Sequence, residues 1–82
     1  MYIICDNSKR IINTNCVPCI GYEKCGTAYN PHYRVFAYSG NAVGEDNEVK
    51  YTVGVYSTEE LACFIVSYIA EMLQTGTDAI TI

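Results

Sequence analysis

The sequence predicts an α+β domain: a four-stranded, mainly antiparallel β-sheet packed on one C-terminal α-helix, with residues for a further short terminal strand. Three observations predict it. Ile and Val contribute 16 of the 82 residues and Tyr 8, against 2 Leu and no Trp, a bias toward side chains that suit a pleated, half-buried surface. Residues 49–56 alternate apolar and polar, the period of a strand. From Ser57 onward the period becomes helical. At 9.1 kDa the chain has material for one core, so residues 1–82 form one domain.

Met1 to Cys5 and Arg10 to Asn13 are short β-rich runs separated by Asp6-Asn7-Ser8-Lys9, residues that favour turns, and together they read as a hairpin. From Asn13 to His32 the pattern is broken by Pro18, Gly21, Gly26, Asn30 and Pro31, with a candidate strand from Val17 to Lys24. Tyr33 to Ser39 is the next strand, and a loop from Gly40 to Glu48 leads to Val49–Tyr56. There Val49, Tyr51, Val53 and Val55 are expected to face the core. Ser57 with Glu60 three residues on forms a capping box, and the helix runs from Thr58 to about Thr75, where Gly76 closes it. Asp78 to Ile82 supplies the terminal strand.

At about 100° per residue, Leu61, Met72, Ile65, Ile69, Ala62, Leu73, Val66, Ala70 and Cys63 fill an arc of roughly 200° on this helix, extended by Tyr68. One side of a small sheet requires only about half of that. The surplus predicts a second contact surface, with Phe64, Ile65, Tyr68, Ile69, Met72 and Leu73 as the candidate face of a homodimer.

Met1-x-Ile3 followed by Ile11-Ile12-Asn13, together with Gly54-Val55-Tyr56-Ser57-Thr58-Glu59-Glu60-Leu61-Ala62, resembles a group of small uncharacterised proteins of Gram-positive bacteria and their phages. Those proteins open on a short hairpin and close on a capped helix with paired glutamates. The likeness covers about a third of the chain. It implies a sheet-plus-helix fold and a cytoplasmic, bacterial or phage-encoded protein, and it brings no catalytic residues. The chain departs from the group in its more apolar helix and in Cys16, Cys19 and Cys25.

Nine acidic against five scattered basic residues give a net charge of -4, which disfavours nucleic acid as a partner because phosphate binding needs clustered cations. No run approaches the roughly 20 apolar residues of a membrane span, and the N-terminus lacks the pattern of a signal peptide. The expected location is the cytoplasm, with the five cysteines reduced.

Cys16-Val17-Pro18-Cys19 with Cys25 and His32 is a candidate zinc set, since two cysteines on a tight knuckle supply half of a tetrahedron, although Cys25 and His32 are spaced more widely than usual. The same Cys-x-Pro-Cys lacks the helix that lowers the thiol pKa in a redox motif. His32 stands without a nucleophile motif, and the paired carboxylates Glu45-Asp46 and Glu59-Glu60 fit a turn and a helix start. No enzyme is expected. Phe36, Tyr38, Arg34 and Tyr56, with Tyr2, are the candidate outer sheet face for a protein partner. Tyr22, Tyr29, Tyr33 and Arg34 are the candidate pocket for a nucleotide-like ligand.

The leading expectation is therefore a non-enzymatic interaction or regulatory module acting through protein-protein contact, such as a phage-encoded modulator of a host protein. The alternatives are a small-ligand binder and a zinc-stabilised module.

Overall fold

The structure of the chain, a computed structural model, describes residues 1–6, 9–17, 19–41 and 48–82, without the side chains of 39–41, 48 and 49. Asn7 and Ser8 of the expected turn, Pro18, and residues 42–47 with Glu45 and Asp46 lie outside the described residues. The fold is α+β with one C-terminal helix. The expected single four-stranded sheet is corrected, because among the described residues six strands form two sheets of three.

Strands β1 (Tyr2–Cys5) and β2 (Arg10–Asn13) pair antiparallel with Ile3 opposite Ile12 and Ile4 opposite Ile11. The two-residue period then turns Ile3, Cys5 and Ile12 inward, where they are buried, and leaves Ile4 and Ile11 exposed. The terminal run forms β6 (Ala79–Thr81), which joins β1 in parallel and places Ile80 beside Ile3. Asp6 N donates to Ile82 O at 2.9 Å, and Ile82 N donates to Ile4 O at 2.8 Å.

A 3₁₀ turn at Thr14–Cys16, capped where Asn13 Oδ1 accepts from Asn15 N at 3.0 Å, leads to the second sheet. This is an antiparallel meander of β3 (Cys19–Gly26), β4 (Pro31–Asn41) and β5 (Glu48–Tyr56). The candidate strand at 17–24 is real, displaced by two residues. Between β3 and β4, Gly26 adopts φ +89°, and a Cβ there would lie 2.5 Å from Asn30 O. Both facts call for glycine.

The uniform alternation expected of β5 is corrected. Val35 pairs with Gly54 and Phe36 with Thr52, so Val53 is the extra residue of a β-bulge. The bulge shifts the phase beyond it. Tyr51, opposite buried Ala37, keeps the core side although 42% exposed, and Val53 is buried. Gly54 then turns inward opposite Val35, and Val55, opposite Arg34, turns outward at 53% exposed. Gly54 leaves room for the ring of Tyr56, which folds back over it; a Cβ on Gly54 would meet Tyr56 Oη at 2.6 Å.

Helix α1 (Glu59–Gln74) begins one residue later than expected. Its N-cap is Thr58, whose Oγ1 accepts from Leu61 N at 3.2 Å, so the cap assigned to Ser57 is corrected. At the other end Gly76 adopts φ +75°, Gly76 N donates to Leu73 O at 3.3 Å and Thr77 N to Met72 O at 3.2 Å. This bonding satisfies two orphan carbonyls and ends the helix. The helix packs on β3, β4 and β5. Its Ala62 and Ile69 join Ile3, Cys5, Ile12 and Ile80 of one sheet and Val35, Ala37 and Val53 of the other in one core.

Two outcomes follow for stability. Thr58→Ala is expected to lower unfolding free energy by about 1 kcal/mol, with Ser57→Ala within about 0.5 kcal/mol of wild type in urea melts; the reverse order would return the cap to Ser57. Gly54→Ala is expected to cost about 1–3 kcal/mol. In a double-mutant cycle that cost shrinks when Tyr56→Phe removes the nearest atom, and strict additivity would show that the two sites do not touch.

Candidate functional site

The zinc set is not assembled. Cys16 closes the 3₁₀ turn, Cys19 opens β3, and Cys25 lies near the far end of β3 opposite His32. Six residues of extended chain separate Cys19 from Cys25 by about 20 Å, whereas zinc holds sulfur at about 2.3 Å. Among the described residues no three His, Cys, Asp or Glu side chains are grouped to hold a metal ion.

The proposed nucleotide pocket is likewise divided between two faces and a turn. Register places Tyr22, opposite Val35, and Tyr33 on the helix side of the second sheet, and Arg34 on the other side. Tyr29 is 99% exposed in the turn. Tyr22 Oη donates to Glu59 Oε1 at 3.0 Å. That carboxylate, by accepting the bond and by its charge, raises the phenol pKa above its usual 10.

The outer face of the second sheet carries Arg34, Phe36 and Tyr38, as expected. Tyr56 is corrected to the inner face, where it packs on the core, and Tyr2 belongs to the other sheet. On the outer face Glu23 meets Arg34 at 3.5 Å and Lys50 at 3.3 Å. Lys50 Nζ lies 4.7 Å from the Phe36 ring centroid, and the ring in turn covers Gly21.

The candidate homodimer face divides by depth. Ile69 is buried, and Ile65, Tyr68 and Met72 pack against the core at half depth. Packing against the common core takes up much of the apolar arc. What remains exposed is Phe64, at 65%, with Leu61 one turn before it at 48%, and Leu73 toward the helix end. Leu61 stands outside the face expected from the sequence.

Phe64 forms a ridge between two hollows. Toward β6 a groove of about 350 Å³ is lined by Tyr56, Phe64, Ile65, Tyr68, Thr81 and Ile82. Toward β3 a shallower one of about 460 Å³ is lined by Tyr22, Glu59, Glu60, Cys63, Phe64 and Ser67. One side is apolar and the other acidic, and α1 contains no Lys or Arg. The groove residues Thr81 and Ile82 carried no signal, because their approach to α1 depends on β6 joining β1.

No protein-family model matches the chain, and neither a curated protein nor a solved structure matches it. No helix among the described residues is long and apolar enough to cross a membrane.

Burial of Tyr56 in the wall of the groove, and secondarily Cys5 beside it, raises its phenol pKa above 10. The unfolded chain therefore loses this proton first. Its stabilising contribution is complete below pH 10 and declines as pH rises through the folded-state value. Urea midpoints measured from pH 8 to 11 should fall less steeply in Tyr56→Phe than in wild type, and parallel curves would show that the phenol is solvated.

Proposed function

We propose that the protein is a non-enzymatic interaction module that docks a protein partner on the Phe64 ridge of α1. The observation that carries this reading is the exposed Leu61–Phe64 pair set between an apolar groove and an acidic hollow. A partner loop or helix that encloses Phe64 removes its ring from water and fills the groove beside it, which is how aromatic anchors act at interfaces.

Charge selects the kind of partner. Glu59 and Glu60 line the hollow beside the ridge, Glu71 lies on the same helix, and the chain carries a net charge of -4. A second copy would bring two acidic surfaces together, whereas a partner with Lys or Arg around an apolar socket complements the ridge and is steered to it. This favours a basic protein partner over the homodimer.

The test is capture with purified, immobilised protein, compared across variants. Phe64→Ala is expected to leave stability within about 0.5–1 kcal/mol of wild type, because the ring is largely solvated, and to weaken retention of the captured protein at least tenfold. Glu60→Lys should weaken it less, and raised salt should weaken it further. Retention insensitive to Phe64→Ala sinks the proposal. Sedimentation of a concentration-dependent dimer that Phe64→Ala abolishes would assign the ridge to self-association instead.

A further inference from the structure

We propose that the cleft between the two sheets binds a small molecule carrying one carboxylate on a flat apolar body. The cleft, of about 390 Å³, is lined by Arg10, Ile11, Ile12 and Asn13 of β2, by Cys16 and Val17, and by Tyr51 of β5. Its volume lies in the range of small-ligand pockets, about 300–1,000 Å³, whose walls are mostly apolar with a few polar groups that fix orientation.

The polar groups here are donors. Arg10 holds its guanidinium 5.9 Å from the centroid of the Tyr51 ring, and among the described residues it meets no carboxylate. Asn13 has its oxygen engaged by Asn15 N, which leaves its amide hydrogens to donate. A planar guanidinium presents paired N–H groups that match a carboxylate. Ile12, Val17 and the Tyr51 ring provide the surface for an apolar body. Tyr51 stands opposite Ala37, on the inner side of β5 before the bulge at Val53, and so borders this cleft.

The site lies apart from the Phe64 ridge and shares no lining residue with the groove or hollow beside it. Its failure and that of the docking reading are therefore separate results.

Cys16 provides a local readout, since its thiol is exposed on the cleft wall, while Cys63 is an exposed thiol on α1. Iodoacetamide labelling, followed by peptide mass spectrometry, is measured with 1-naphthoate and with its neutral isostere 1-naphthamide. Naphthoate is expected to slow labelling of Cys16 saturably and to leave Cys63 unchanged, with naphthamide about tenfold weaker. Arg10→Met should abolish that preference for the acid without shifting the melting temperature. Equal protection by acid and amide, protection undiminished in Arg10→Met, or no protection at about 10 mM naphthoate overturns the proposal.

Discussion

Asp6 N donates to Ile82 O, Ile82 N to Ile4 O and Tyr2 N to Asp78 O, each within 2.9 Å, and this parallel ladder seats the end of the chain against its beginning. β1 thereby becomes the central strand of its sheet, and Ile3, lying between Ile12 and Ile80, is fully buried. The pairing also brings Ile82 beside Tyr56 and Tyr68, forming the groove next to Phe64. A parallel partner for β1 requires a long connection, here the whole meander and the helix. Docking of β6 is thus a long-range contact and the slow kind of closure.

The local devices were legible in the sequence, and the way the sheets divide was not. The hairpin, the strands at β4 and β5, the helix and its stop at Gly76 all follow from period, turn chemistry and glycine. The N-cap slipped by one residue because Ser57 and Thr58 are both competent caps, and the box with Glu60 favoured the wrong one. The bulge leaves no mark in the sequence, because Val53, Gly54 and Val55 fit a regular alternation; only the pairing with β4 shows that one residue is surplus. Strand patterns show which side is apolar but not what covers it, so two sheets leave the same pattern in the sequence as one. For the same reason the apolar arc of α1 looked wider than its supports, when Ile65, Val66 and Met72 in fact pack against the core. Sequence spacing also grouped Cys19 with Cys25, although an extended strand separates its residues far more than a loop would.

Two exposed surfaces invite comparison, and they differ in how far their side chains already engage one another. On the outer sheet face, Phe36 lies between Gly21 and the ammonium of Lys50, and Glu23 offsets both Arg34 and Lys50. A partner there would have to displace interactions already made, and half-exposed ion pairs return little when re-formed. The ring of Phe64 has no such cover. Desolvating it breaks nothing inside the protein, so the gain of roughly 25 cal/mol per Å² of apolar surface is kept.

A single exposed apolar side chain is ordinary on a small protein and requires no explanation. Phe64 differs because its neighbours extend the apolar surface: Leu61 precedes it by one turn, and Ile65, Tyr68, Tyr56 and Ile82 line the groove beside it. Folding does not require that ring, since the core is complete with Ala62 and Ile69 on the opposite side of the helix. A polar residue at position 64 would serve the fold equally well and reduce the tendency to aggregate. Stability therefore does not account for the phenylalanine, and the proposed docking of a partner on this ridge would.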